Sequence, residues 1–164
     1  MCIRDRIIIS NLNFEGFNKE KILFIKNKNP RKALADAASN FYKKKPKNII
    51  ALTGTNGKTS ISNFFYQILS LSKKKVAAIG TLGVLSKKIK LKTNNTTIDP
   101  IKMHQILQKL KNSNIDNVII EASSHGLKQH RLDGLNFKTA LFTNLTRDHL
   151  CLLYTSPSPR DGLL

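Results

Sequence analysis

The sequence predicts an α/β fold, a mostly parallel sheet with helices on both faces, and three observations predict it. Short, continuously apolar runs recur at 49–52, 76–79 and 118–120, the pattern of strands buried on both sides. Stretches with helical spacing separate them, the alternation that builds parallel sheets. A glycine turn ending in Lys58-Thr59 follows the first of these runs and precedes a helix, where a phosphate-binding loop must lie if its amides are to face an anion.

Each element follows from local signals. The runs Ile7-Ile8-Ile9 and Ile22-Leu23-Phe24-Ile25 read as strands of a preceding domain. Asn29 as cap and Pro30 at the first helical position open a helix in which the apolar residues Ala33, Leu34, Ala37, Ala38, Phe41 and Tyr42 recur at helical spacing. Lys43-Lys44-Lys45-Pro46 ends it. After the glycine turn, a helix runs over about 59–71, and residues 84–93 alternate in the manner of an exposed hairpin or edge pair. Asp99-Pro100 opens a further helix with Met103, Ile106, Leu107 and Leu110 inward. Residues 118–122 and 139–143 supply a third and a fourth buried strand. Phe64, Phe65 and Phe142 are expected in the core, and His104 and His130 on the surface.

The 164 residues suffice for one ordinary domain and part of another, and a hydrophobic content of 40% excludes a wholly disordered chain. The apolar runs are strand-sized, which argues against membrane insertion and for a soluble, cytoplasmic protein. Cys2 and Cys151 lack the spacing of a disulfide framework or a zinc site. The net charge of +18 comes from 28 Lys and Arg against 10 Asp and Glu. The cations are mostly scattered lysines with few aromatics among them, a solvated surface that attracts phosphorylated ligands rather than a specific nucleic-acid face.

The loop Thr53-Gly54-Thr55-Asn56-Gly57-Lys58-Thr59 carries the chemistry. Gly54 and Gly57 allow close backbone approach to oxygen atoms, Lys58 can reach the β- and γ-phosphates, and the Thr59 hydroxyl can ligate Mg²⁺. Leu52 stands where the longer GxxxxGK[ST] pattern wants glycine, so the match is to the shorter GxxGK[ST] form.

The loop with its preceding Ala51-Leu52 resembles the ATP loop of the Mur ligases, and three further segments resemble the MurE-type branch, which adds the third residue of the peptidoglycan stem peptide. These are Asn95-Thr96-Thr97; Glu121-Ala122-Ser123-Ser124-His125-Gly126-Leu127 with Gln129-His130-Arg131; and Thr143-Asn144-Leu145-Thr146-Arg147-Asp148-His149-Leu150. The likeness covers 48–150 as part of a P-loop central ATP-binding domain, with 7–47 resembling the remnant of an N-terminal UDP-binding domain and its connecting helix. Residues 1–6 and 151–164 fit no part of it and read as foreign, adapter-like ends.

The resemblance implies an ATP-dependent amide ligase that joins a diamino acid, meso-diaminopimelate or L-lysine, to UDP-MurNAc-L-Ala-D-Glu through an acyl phosphate. It implies ATP contacts at Gly54, Thr55, Asn56, Gly57, Lys58, Thr59 and Ser60, catalytic roles for Lys58 and Glu121, and Mg²⁺ ligation by Thr59, Glu121 and His149. It implies substrate contacts at Asn95, Thr96, Thr97, Ser123, Gln129 and Arg131; the guanidinium of Arg131 is chemically suited to grip a carboxylate bidentately. The family's later metal-site lysine and its C-terminal amino-acid-binding domain have no counterpart after Leu150, so the chain reads as a fragment, monomeric and without ligase activity of its own. A folylpolyglutamate synthase shares the loop but not the Glu-Ala-Ser-Ser-His-Gly-Leu run. A basic P-loop module that binds nucleotide or RNA is the alternative from another class, and steep salt dependence of RNA binding would mark it.

Overall fold

A computed structural model describes residues 6–12 and 22–146. The expectations for Cys2, for residues 147–150 with His149, and for the tail from Cys151 lie outside them. Strands β1 (Arg6–Ser10) and β2 (Ile22–Lys26) pair in parallel as a separate two-stranded sheet, with Ile8 opposite Phe24. β1 thus starts at Arg6, the last residue of the stretch expected to be foreign.

Helix α1 (Pro30–Phe41) begins as its cap signal requires, Asn29 Oδ1 accepting from Lys32 N. It packs against the later helix over 100–112, and Ala35 and Ala38 are its buried residues. The buried stripe is therefore displaced from the periodic apolar set: Phe41 is 78% exposed and Ala37 lies outside. Alanines nearly all round a helix discriminate poorly between its faces, so the partner decides which is buried.

The main sheet contains β3 (Asn48–Thr53), β4 (Val76–Gly80), β5 (Gly83–Ser86), β6 (Lys90–Leu91), β7 (Asn117–Glu121) and β8 (Thr139–Phe142), in the spatial order β6-β5-β4-β7-β3-β8. β4, β7, β3 and β8 are parallel, and β5 and β6 extend the sheet antiparallel. Helix α2 (Lys58–Leu71) covers one face, where Phe65 and Tyr66 meet Leu52, Ala78 and Ile119. Helix α3 (Pro100–Asn112) covers the other with Met103, Ile106, Leu107 and Leu110, against Ile49, Ala77, Ile79, Val118 and Ile120. Successive residues of β7 thus serve opposite layers, which is why its sequence is apolar without alternation.

Three expectations are corrected. The stretch 84–93 is an edge pair only in part: β6 is exposed, but Val84 and Ser86 of β5 are buried, because β5 also pairs with β4 across a two-residue turn at Thr81-Leu82. β8 is the last strand on its side among the described residues, so it is exposed along its length rather than a fourth buried strand, and Phe142 is 63% exposed rather than core; Phe64, on the outer side of α2, is 59% exposed, and only Phe65 packs inward. The two histidines are not surface groups. His130 is half-buried, its ring bridging Asn29 Nδ2 and Asp133 Oδ2 at 2.8 and 3.0 Å.

His104 is wholly buried on α3, with Nε2 donating to Asp133 O at 3.1 Å and Nδ1 left without a partner. Burial holds its pKa below the usual imidazole value, reinforced by Lys45; the hydrogen bond to Asp133 and the charge of Asp36 oppose this. Below about pH 6.5 the unfolded chain takes up a proton that the folded chain refuses. Stability should therefore fall as pH drops through 6.5 toward the lowered folded value, by at most about 1.4 kcal/mol per pH unit from this group. Urea titrations at a series of pH values should show that slope, and His104→Leu should flatten it.

Candidate nucleotide and carboxylate site

Residues from both halves of the sheet meet at one edge. The connection after β3 enters α2 on one face, whereas that after β7 leads to Leu132 and Leu135, which pack on the α3 face. Adjacent parallel strands whose connections leave in opposite directions open a crevice at their carboxyl ends, the usual ligand position in such sheets. Glu121 is the last residue of β7, opposite Leu52 of β3, and Thr59 lies in the first turn of α2.

Glu121 is 1% exposed, yet among the described residues no cation lies within ion-pair distance of it. Its partners are hydroxyls. Ser62 Oγ donates to Oε1 at 2.9 Å, while Thr59 Oγ1 and Thr81 Oγ1 both donate to Oε2 at 3.0 Å. A methyl group at Gly80 would land on the carboxylate, so β4 needs glycine where it passes Glu121. A buried carboxylate without a countercharge is costly. A hard divalent cation, which prefers carboxylate, hydroxyl and phosphate oxygens, fits that donor set. No cluster of three His, Cys, Asp or Glu occurs among the described residues. His149 lies outside the described residues.

The loop itself is tightly built. Gly57, at φ +85°, turns the chain into α2, and Lys58 Nζ donates to Gly54 O and Thr55 O at 2.6 and 2.8 Å. Ser60 is exposed on the first helical turn. The amides of the first turn have no intrahelical acceptor and carry the positive end of the helix dipole, which suits phosphate oxygens. Gly54 is required for another reason: at φ +127° it lies against Thr143 and Asn144, and a Cβ there would collide with Thr143 Oγ1.

The expected substrate residues are only partly at the crevice mouth. Thr81 has one proton, spent on Glu121, so Thr96 must donate to Thr81 across their 3.1 Å contact. Thr97 is buried; its hydroxyl donates to Glu121 O at 2.8 Å and accepts from Ser123 N and Ser123 Oγ at 2.9 and 3.0 Å. Ser123 caps α4 (Ser124–Lys128) by accepting from Gly126 N. The Thr97 hydroxyl thus ties down the end of β7 and is not available as a donor to a ligand, because its proton is committed inside the protein. The Arg131 fork closes on Gln129 Oε1 through Nε and Nη2 at 3.0 and 2.6 Å, with Nη1 on Thr97 O at 2.6 Å. Asn95 is exposed and lines a cavity of about 340 Å³ with Lys92, Lys102 and Lys109, apart from Glu121.

Ser62 and Thr81 escaped the sequence reading. Ser62 was within reach of it, being three positions after Thr59 and so on the same helix face. Thr81 was not, since it reaches Glu121 only because β4 turns sharply beside β7.

A glycine loop between strand and helix, with a buried carboxylate on the neighbouring strand beside the loop's threonine, is the arrangement of a P-loop α/β domain. A family model described as the Mur ligase middle domain matches residues 52–155. The chain belongs to that family. It is 44% identical over 130 residues to a UDP-N-acetylmuramoyl-L-alanyl-D-glutamate–2,6-diaminopimelate ligase of Bradyrhizobium diazoefficiens, a match covering 79% of this chain and 27% of the relative. Ligases of the same name match from Rhizobium meliloti, 46% identical with 74% and 25% covered, and from Clostridium tetani, 39% identical with 88% and 30% covered. A solved structure of a ligase of that name superposes with a TM-score of 0.71 at 31% identity, covering 87% of this chain and 28% of its own. The chain therefore spans roughly a quarter to a third of the length of the relatives it matches.

Proposed function

We propose that the chain supplies the ATP-binding part of a cytoplasmic ligase that joins 2,6-diaminopimelate to UDP-MurNAc-L-Ala-D-Glu. The observation that carries the reading is the Thr59–Glu121 pair at the crevice, in a segment 39–46% identical to ligases of that name. Joining two acids' derivatives through an amide is uphill in water, so the glutamyl carboxylate must first take the γ-phosphoryl group of ATP, releasing ADP. The amine then attacks the acyl carbon and phosphate leaves. Mg²⁺, when bound, supplies positive charge that lets two anions approach.

The chain's own residues divide the work. The amides at the start of α2 and Lys58 hold the phosphate chain, Thr59 and Glu121 would hold the cation, and Ser62 and Thr81 orient Glu121. Asn95, Thr96, Ser123, Gln129 and Arg131 flank the acceptor side; for Arg131 to grip a substrate carboxylate, Gln129 must leave its fork.

Replacing the matching segment of the Bradyrhizobium diazoefficiens ligase with residues 48–146 of this chain tests the proposal. The chimera should release phosphate from ATP only when both UDP-MurNAc-L-Ala-D-Glu and 2,6-diaminopimelate are present. A folded chimera that binds no ATP, or turns it over without regard to either acceptor, would refute it.

A further inference from the structure

The end of β8 grips the nucleotide loop more closely than a strand neighbour needs to. The β3–β8 ladder continues beyond both strands: Thr143 N donates to Thr53 O at 3.0 Å, and Thr55 N donates to Asn144 O at 2.9 Å. The Asn144 side chain then imitates one more strand residue. Its Oδ1 accepts from Asn56 N at 3.0 Å and its Nδ2 donates to Asn56 O at 3.3 Å, so a single amide satisfies both backbone groups of Asn56. Thr143 Oγ1 donates to Asn56 O at 2.7 Å, and Thr146 N donates to Thr55 Oγ1 at 2.9 Å. Gly54 has no room for a side chain because the same segment lies against it.

These bonds divide the loop. The amides of Thr55 and Asn56 are committed to Asn144, which leaves those from Gly57 to Ser60 to face an anion. We propose that Asn144 is a positioning residue for the phosphate chain: it fixes the first half of the loop so that the second half presents its amides in register. The proposal rests on the nucleotide-loop reading above and names a residue that touches the loop rather than the nucleotide.

The 164-residue chain allows a direct test with two readouts, ATP affinity by calorimetry and amide hydrogen exchange without nucleotide. In Asn144→Ala, ATP affinity should fall at least about tenfold, the loss expected when two loop hydrogen bonds go. Exchange at Thr55 and Asn56 should speed up in the nucleotide-free chain while β7 and α3 keep their protection. Thr143→Val, which removes only the bond to Asn56 O, should show a smaller change of the same sign and decides the matter if Asn144→Ala does not fold.

Unchanged ATP affinity would overturn the proposal. So would a loss of affinity with unaltered exchange at Thr55 and Asn56, which would make Asn144 a direct nucleotide contact, or a loss of protection throughout the core, which would make it merely structural. A wild-type chain with a protected core that binds no ATP would instead overturn the nucleotide reading, and this proposal with it.

Discussion

Glu121→Gln, introduced into the chimeric ligase, should slow transfer of the γ-phosphoryl group by about 10²-fold or more while ATP affinity stays within a few-fold of the parent. The variant is conservative in shape, and its buried surroundings can accept it. An amide oxygen placed toward Thr59 and Thr81 keeps both of those hydroxyl donors satisfied. The amide nitrogen then faces Ser62, whose proton can turn to Thr59 O, already 3.0 Å away. What disappears is the negative charge, and with it the hold on a cation placed to stabilise charge developing in the transition state, for which losses of this size are usual. Single-turnover measurement of phosphate transfer, beside calorimetric ATP affinity at several Mg²⁺ concentrations, separates the two effects. Near-normal transfer at limiting Mg²⁺ would remove Glu121 from the reaction and leave it as a buried anchor for three hydroxyls.

Lys58→Ala should fail differently, with ATP affinity itself falling about 10- to 100-fold. The Lys58 ammonium lies over the loop, bonded to Gly54 O and Thr55 O, and from there it can turn to phosphate oxygens. A hydrogen bond to a charged group contributes about 1.5–3 kcal/mol, which sets the expected range at about 1.4 kcal/mol per tenfold. Because the lysine also ties the loop to itself, removing it should loosen the nucleotide-free loop; Lys58→Met, which restores the aliphatic stem without the charge, should recover little affinity. Equal affinity for ATP in Lys58→Ala and the parent would show that the first-turn amides hold the phosphates unaided. Adenosine, which carries no phosphate, should bind both alike.

Much of this site is legible because its chemistry is local. Gly54, Gly57, Lys58 and Thr59 lie within six consecutive positions, and the strand before them and the helix after them are signalled by their own residues. Glu121 is legible for a related reason, since it ends an apolar run and so must emerge at the sheet edge. The failures fall where burial depends on a neighbour distant in the chain. Phe142 belongs to an apolar run like that of β7, but β7 lies between β4 and β3 whereas β8 has a neighbour on one side only among the described residues. His104 sits one position from Met103 in a helix whose inner face was otherwise read correctly. Its burial follows from the segment carrying Asp133, which folds over α3 and whose backbone carbonyl accepts a hydrogen bond from Nε2.

By itself the sequence determined the α/β class, the glycine loop in its place between strand and helix, and the family likeness, because strand length, helix periodicity and loop motifs are properties of neighbouring residues. The tertiary structure alone decided that β7 inserts between β3 and β4. That placement puts Glu121 beside Thr59 and brings Gly80 of β4 and Thr81 just after it against the carboxylate, while the pairing of β8 with the other side of β3 lets Asn144, just after β8, close on the loop. The physical reason is that hydrogen-bonding potential and apolar character are written along the chain, whereas their pairing is set by strand order, which is chosen by the packing of both sheet faces at once. A hydroxyl such as that of Thr97 therefore reads as a free donor in the sequence and proves to have its proton committed to Glu121 O once the strands are in place.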